Sequence, residues 1–212
     1  MAGAVARVVD EFDGGFGWIC DERLVRTSHA LRTDDGVWLV DPVAPDVDPP
    51  QLAALAEGDV VGVLQLLDRH ERDGAAFASR FRARYVGAFE STVIRGSPFE
   101  LVPVVGRRWW REVALWWPER RVLVCADALG TVPFFRAPGE RIGVHPLLRL
   151  TPPTRLRGLA PARILVGHGA GVHDDAAAAL DEALSTSRQR APAALAQGLL
   201  RAARGRRASR RP

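Results

Sequence analysis

Three short apolar runs in this sequence are each followed at once by acidic or histidine side chains. The runs cover residues 59–67, 121–126 and 163–166. The polar segments that follow them are Asp68 to Asp73, Asp127, and Gly167-His168-Gly169. Nearly unbroken apolar runs of this length are typical of strands buried on both faces of a sheet. Since ligand sites in α/β sheets form outside the carboxyl ends of strands, these polar segments are the candidate site.

The segments between these runs complete an alternating pattern of strands and helices. Residues 36–41, GVWLVD, predict a strand, and Asp48-Pro49-Pro50 provide the N-cap and first turn of a helix over residues 51–57. Together with the run at 59–67, they predict a β-α-β unit. The other predicted elements are helices at 75–84 and 174–184, strands at 99–105 and 112–117, and a hairpin turn at Pro118-Glu119-Arg120.

Charge separates the body of the chain from its C-terminal end. All 29 basic residues are Arg, with no Lys and no Asn, which indicates GC-biased coding of the kind found in a high-GC bacterium. Eight arginines lie at or after Arg188, where no acid remains, so residues 1–187 carry 21 Arg against 25 acids. We therefore predict one domain over residues 1–187 and an Arg-rich extension over 188–212, disordered from Arg204. A nucleic-acid partner is not expected, because only this extension is basic.

Composition and cysteine content limit the classes of protein to which the chain can belong. Charged residues make up 25% and apolar residues 47% of the chain, so we expect a sizeable hydrophobic core. The two cysteines, Cys20 and Cys125, form neither a disulfide framework nor a metal-binding pair. The sequence shows no signal-peptide core and no run near the roughly 18 apolar residues that a membrane span needs. These features predict a cytoplasmic protein with no membrane partner.

The order and spacing of four segments resemble the metallo-β-lactamase superfamily. The segments are WLVDP at 38–42, LQLLDRHERD at 64–73, WWPERRVLVCADAL at 116–129, and ILVGHGAGV at 164–172 followed by an Ala-rich helix. The resemblance covers about Ala30 to Leu184. It implies an α/β fold, the αββα four-layer sandwich, whose strand ends hold one or two metal ions. It also implies hydrolysis of esters, amides, thioesters or phosphodiesters by a metal-activated water.

The first ligand motif of that family, H-x-H-x-D-H, is mostly replaced in this sequence. When Asp73 is taken as the aspartate of the motif, its three histidines fall on Arg69, Glu71 and Gly74. The next family histidine, which precedes the hairpin, falls on Arg108. Arginine and glycine side chains offer no lone pair to a metal at neutral pH. A dinuclear site of the usual form is therefore not expected.

The remaining ligand positions are retained. The family aspartate after the hairpin matches Asp127, and the last family histidine matches His168. The resemblance thus makes Asp73, Asp127 and His168 the candidate metal ligands. His70 lies one residue out of the motif register and is a further ligand only if the site is shifted.

The first hypothesis is that the dinuclear site is largely lost and that the protein is a binding or scaffold relative of the hydrolases. We then expect no cofactor, and the partner is an unknown small molecule or protein. Burying carboxylates together without a metal requires a cation nearby. Arg69 and Arg108 would pair with Asp73 and Asp127, with Glu71 in the same cluster, because guanidinium groups bind carboxylates in a bidentate fork.

The second hypothesis is a hydrolase that keeps one metal ion. In this case Asp73, Asp127 and His168 would hold one Zn or Fe ion, with His70 or Glu71 as an additional ligand. Three oxygen or nitrogen ligands and one open position for water are sufficient for a catalytic metal site.

Other polar residues carry weaker signals. His29, His145 and His173 show no ligand spacing and are interpreted as ordinary polar residues. Asp41, at the end of the first predicted strand, is interpreted as a turn-fixing or supporting residue. Cys125 lies within an apolar strand and is interpreted as an inert core thiol.

Overall fold

The computed structural model describes residues 6–21, 25–43 and 60–196. Six strands form the first of its sheets. These strands are β1 Arg7–Phe12, β2 Gly15–Asp21, β3 Arg26–Thr33, β4 Gly36–Val40, β5 Val60–Gln65 and β6 Arg84–Gly87. They lie side by side in sequence order, antiparallel from β1 to β4 and parallel from β4 to β6. The β4–β5 pair confirms the parallel strands expected of a β-α-β unit, while the helix predicted at 51–57 lies outside the described residues.

A second sheet has four strands. They are β7 Glu100–Arg107, β8 Trp110–Trp117, β9 Val122–Cys125 and, later in the chain, β12 Arg163–Val166. The sheet order is β12-β9-β8-β7, with β12 parallel to β9 and the other pairs antiparallel. Two short strands, β10 Leu129–Gly130 and β11 Gly143–Val144, form a separate pair. Because β9 and β12 run parallel, the polar residues that follow them emerge at the same edge.

In the described part of the chain, one helix packs on each sheet, which gives four layers. On β4, Trp38 and Val40 pack into the core between the sheets, whereas Leu39 faces the outer cluster. Helix α1, Gly74–Phe81, adds Phe77 and Ala78 to that outer cluster. Helix α2, Ala176–Thr186, packs its apolar face against the second sheet. This is the αββα sandwich that the sequence resemblance predicts.

The N-terminal strands β1, β2 and β3 are not predicted from the sequence, and they make up half of the first sheet. The chain also continues to pack beyond the predicted domain boundary at 187. Arg188 Nε donates to the Leu150 carbonyl, and Ala191 and Ala194 are buried in a helical stretch that runs from 191 to 196. Residues 197–212, including the predicted disordered end, lie outside the described part. Among the described helices, none is long and apolar enough to cross a membrane.

Candidate metal centre

Three loops that follow strand ends bring His70, Asp127 and His168 together. His70 follows β5 through a turn in which its backbone N–H donates to the Leu67 carbonyl at 2.8 Å. Asp127 comes two residues after β9, and His168 two residues after β12. From the sequence, Asp127 and His168 are candidate ligands, and His70 is a further one if the site is shifted. The structure brings all three together.

The three side chains converge on one point. His70 Nε2 and His168 Nε2 each lie 3.2 Å from Asp127 Oδ1. This oxygen is buried, and neither approach has the geometry of a hydrogen bond. One ligand atom from each residue lies within 4.8 Å of the other two. Within residues 6–21, 25–43 and 60–196, no other group of three His, Cys, Asp or Glu side chains meets this criterion.

Asp41 orients the imidazole of His70 from behind. Its carboxylate is 3% exposed, with Oδ2 at 2.9 Å from His70 Nδ1 and Oδ1 accepting the Leu66 backbone N–H at 2.9 Å. A proton on Nδ1 leaves the Nε2 lone pair directed at Asp127. Burial and the nearby Arg72 lower the pKa of His70, but Asp41 and Asp127 outweigh them, and the net pKa is raised above its ordinary value.

Glu112, which the sequence analysis missed, holds the loop that carries Asp127. Its buried Oε1 accepts the backbone N–H groups of Asp127 and Ala128 at 2.9 and 2.8 Å, and its Oε2 accepts Trp110 Nε1–H at 2.8 Å. Burial, with the negative charge of Asp127, raises the pKa of the Glu112 carboxyl to about 7. The available signal was a single acid inside the apolar strand WREVALWW.

The charge of Asp127 itself is well stabilised. Burial alone would raise the pKa of this carboxyl, but the adjacent imidazoles of His168 and His70 hold it far below its usual range. Asp127 is therefore ionised at neutral pH and could serve as an anionic ligand. The Glu112 contacts fix its backbone, so its side chain points at the two imidazoles.

The two glycines around His168 are required by close packing. A Cβ on Gly167 would lie 2.6 Å from the Ala126 carbonyl oxygen, and Gly169 has φ +96°, which disfavours any other residue. Strand β3 fixes this loop: the Thr27 backbone N–H donates to the Gly167 carbonyl, and Thr27 Oγ1 donates to the Gly169 carbonyl at 2.6 Å. Phe135 stacks on the His168 ring at 5.8 Å.

These residues fit one metal ion of the kind that this fold implies. Two imidazole nitrogens and one carboxylate oxygen are a ligand set typical of catalytic zinc, and imidazole also suits iron. The buried Asp127 Oδ1 has no hydrogen-bond partner, and a bound metal ion would coordinate this atom. The Asp41–His70 pair is the carboxylate–histidine arrangement found behind metal ligands.

The structure corrects three positions of the sequence alignment. Asp73, proposed as a ligand, is instead the residue before α1, where its backbone N–H donates to the Pro42 carbonyl; it does not join the cluster. Glu71 is exposed. Arg108 is exposed in the two-residue turn between β7 and β8, with no ion pair to Asp127. The turn that ends at His70 shifts the motif by one residue, so His70 and not Glu71 faces inward.

Two arginines do lie beside the cluster. Arg69, one of the two proposed partners, has Nη2 at 3.8 Å from Asp127 Oδ2 and its guanidinium 4.6 Å from the Trp110 ring. Arg72, which was not predicted, is more deeply placed. Its guanidinium donates to the carbonyls of Thr27, Asp41 and Gly167 at 2.8, 2.8 and 3.3 Å. It therefore joins the three segments that carry or support the cluster.

A cavity of about 510 Å³, called here the site cavity, opens onto Asp127 and His168. Its wall is mostly apolar and includes Phe135 and the exposed ring of Phe134. His145, interpreted from sequence as an ordinary polar residue, also lines it. Burial lowers the pKa of His145 to about 4, so this imidazole is neutral at pH 7. Because its Nδ1 accepts the Leu147 N–H, its proton is on Nε2.

Comparisons with known proteins agree with the architecture. No family model matches the sequence, and no curated protein matches it in sequence. Solved structures do match. The metallo-β-lactamase DIM-1 superposes with a TM-score of 0.55 and 14% identity, over 88% of this chain and 96% of that chain.

Two further structures show how widely the likeness extends. The flavodiiron protein from Giardia intestinalis gives a TM-score of 0.60 at 12% identity, over 87% of this chain and 60% of that chain. FIM-1 from Pseudomonas aeruginosa, in its mono-zinc form, gives 0.53 at 14% identity, over 88% and 95%. The chain therefore has the metallo-β-lactamase fold, which confirms the resemblance seen in the sequence.

Proposed function

We propose that the protein is a hydrolase that works with one metal ion held by His70, Asp127 and His168. The observation that carries the proposal is the convergence of three ligand atoms within 4.8 Å of one another, supported behind His70 by Asp41. FIM-1, which shares the fold, is described in a mono-zinc form. A bound zinc or iron ion supplies Lewis acidity and lowers the pKa of water to near neutrality.

The residues around the cluster are suited to an acyl substrate such as an ester or thioester. The aromatic wall formed by Phe134 and Phe135 binds an apolar part of the substrate and excludes water. His145, neutral and protonated on Nε2, is a hydrogen-bond donor to a substrate oxygen in the same cavity. Such a donor stabilises negative charge that develops on that oxygen during acyl transfer.

The metal content of three variants tests the ligand assignment. The full chain, loaded with zinc and freed of excess ion, should hold one zinc per chain by elemental analysis. His70→Ala and His168→Ala should each lose most of this metal. Glu71→Ala is the matched control, because it removes an exposed potential ligand next to His70. It should retain the metal and the hydrolysis of 4-nitrophenyl butyrate.

The outcome decides between the two hypotheses from sequence. Loss of zinc and of ester hydrolysis in the histidine variants, with both kept in Glu71→Ala, supports the single-metal hydrolase. A folded wild-type chain that holds no zinc would instead favour the binding or scaffold hypothesis. Zinc retained in His70→Ala but lost in Glu71→Ala would show that Glu71 and not His70 is the ligand, as the motif register in the sequence implies.

A further inference from the structure

Four large apolar side chains are exposed on the side of the protein where the site cavity lies. Seven large apolar side chains are exposed among the described residues, and four of them belong to the two segments 105–111 and 132–157. These four, called here the apolar face, are Trp109, Phe134, Leu147 and Leu150, and they are 51 to 69% exposed. Single exposed apolar side chains are ordinary, whereas a cluster of them indicates a contact surface.

Contacts join the two segments into one surface. The ring of Trp110 lies 4.8 Å from that of His145, and the His145 ring lies 5.5 Å from that of Phe134. Arg107 Nη2, in the first segment, donates to Thr151 Oγ1, in the second, at 2.8 Å. Phe134 and His145 also line the site cavity, so the cavity opens at the apolar face.

The same two segments are strongly basic. They contain eight arginines and a single acid, Glu140, whose buried carboxylate pairs with the buried Arg149. Residues 1–187 as a whole carry fewer arginines than acids, so this excess of positive charge is local. The apolar face therefore lies in a basic part of an otherwise acidic domain.

The hairpin of β7 and β8 carries three of these arginines. Arg111 is compensated by Glu90 and Asp68, at 3.1 and 3.8 Å. Arg107 and Arg108 are exposed at the turn, and neither lies within ion-pair distance of a carboxylate in the part of the chain that the structure describes. Arginine side chains can lay their apolar stems against a hydrophobic layer and keep the guanidinium at its polar boundary.

We propose that the apolar face binds the surface of a membrane that contains anionic phospholipids. Trp109, Leu147 and Leu150 enter the boundary between headgroups and acyl chains. Arg107 and Arg108 contact the lipid phosphates. The expectation of no membrane partner came from the lack of a spanning run, and surface binding requires no such run. This contact is independent of the metal ion and of the proposed hydrolysis.

Cosedimentation of the full chain with vesicles, after treatment with a chelator, tests the proposal. The vesicles contain phosphatidylcholine and phosphatidylglycerol at a ratio of about 3:1, or phosphatidylcholine alone. The chain should bind the anionic vesicles more tightly. Leu147→Ser/Leu150→Ser should weaken binding to them by about tenfold. Arg107→Gln/Arg108→Gln should weaken it by about 10- to 30-fold.

Two exposed residues outside the segments provide matched controls. Val93→Ser removes an apolar side chain that is 60% exposed, and Arg32→Gln removes an exposed arginine. Both variants should bind anionic vesicles as the wild type does. The Arg-rich C-terminal end is present in every variant, so it cannot account for a difference between them.

Trp109 provides a direct readout of the contact. The other five tryptophans of the chain are 8% exposed or less. Anionic vesicles with brominated acyl chains should therefore quench the part of the fluorescence that comes from Trp109. Trp109→Phe should still bind these vesicles but lose the quenching.

Three outcomes would overturn the proposal. Equal vesicle binding by the wild type and by the leucine and arginine variants would place the contact on the Arg-rich end. Self-association that Leu147→Ser/Leu150→Ser abolishes, with no vesicle binding, would make the face an interface between copies of the chain. Tighter binding to single-stranded DNA than to anionic vesicles would make it a nucleic-acid surface. Because the chain is tested without metal, none of these results bears on the proposed hydrolase.

Discussion

Breaking the buried ion pair between Arg149 and Glu140 should destabilise the loop that forms the aromatic wall of the site cavity. Arg149 Nη1 and Nη2 donate to Glu140 Oε1 and Oε2 at 3.0 and 2.6 Å, and both side chains are 1% exposed. Nη2 also donates to the Phe135 carbonyl. Arg149→Met therefore leaves a buried carboxylate without its cation and a buried carbonyl without its donor.

The expected cost follows from burial. Removing one partner of a buried pair typically costs about 3–5 kcal/mol, because the remaining charge stays desolvated. The free energy of unfolding of a small protein falls by about 2 kcal/mol for each molar of urea, so the urea concentration at the midpoint of unfolding should fall by about 2 M. Glu140→Gln should have a cost of the same order, since it leaves Arg149 as the unpaired buried charge.

The double variant and an exposed pair provide the controls. Glu140→Gln/Arg149→Met removes both charges, so its cost should be at least about 2 kcal/mol less than the sum of the single costs. Arg190 Nη2 lies at the same distance, 2.6 Å, from Glu182 Oε1, but these side chains are 30% and 42% exposed. Arg190→Met should therefore cost less than about 1 kcal/mol.

Urea unfolding followed by tryptophan fluorescence and circular dichroism measures all four variants. Single costs that add up in the double variant would refute the reasoning, because they would show that the two charges do not interact. A loss in Arg190→Met as large as that in Arg149→Met would also refute it, since burial would then not determine the cost.

Three further predictions concern other parts of the chain. Asp41→Asn should lower zinc affinity by about 10- to 100-fold in a chelator competition, because it weakens the orientation of His70; unchanged affinity would contradict this role. Burial lowers the pKa of His29 below 6.5. As the pH falls below about 6.5, His29 is therefore protonated in the unfolded chain before it is protonated in the folded protein. Stability should thus be full above about pH 6.5 and decline below it, and His29→Gln should flatten this decline in urea midpoints measured between about pH 8 and 5. Deleting residues 204–212, which carry arginines and no acid, should leave Tm unchanged; a fall of several degrees would show that this segment docks on the domain.

The sequence allows the strands that end at the site to be predicted, because they are apolar and bounded by turn residues. The predicted strand at 163–166 coincides with β12, and the strand predicted at 36–41 contains β4. Asp127 and His168 follow from these strands, since each side chain comes directly after an apolar run. Their convergence depends on β9 and β12 being parallel, which the structure shows.

The N-terminal strand β3 could not be predicted, because three of its five buried residues are polar. Thr27, Ser28 and His29 are all buried, yet in the sequence they have the composition of a loop. Ser28 Oγ donates to the Asp41 carbonyl, and His29 Nε2 lies 3.1 Å from the Val166 carbonyl. These hydrogen-bond partners are distant in sequence, so the burial of Ser28 and His29 becomes evident only in the folded chain.

His70 falls one residue outside the motif register because strand β5 ends earlier than its apolar run. The run continues to Leu67, but β5 ends at Gln65. The Leu66 N–H then bonds to the Asp41 side chain, and Leu67 forms an isolated bridge with Glu112. The chain therefore turns at Asp68 and Arg69, and His70 is buried beside Asp127. Apolar composition does not show where sheet pairing stops, since both faces remain buried.

Fixed charges around the cluster explain why one divalent ion suits this chain. Asp41 and Asp127 contribute two negative charges, and Arg69 and Arg72 contribute two positive charges close to them. The buried Glu112, whose carboxyl pKa is raised to about 7, adds a further acid behind Asp127, and Arg72 also ties together Thr27 and Gly167. A divalent ion at His70, Asp127 and His168, as proposed above, would therefore enter a cluster in which arginines do not outnumber acids.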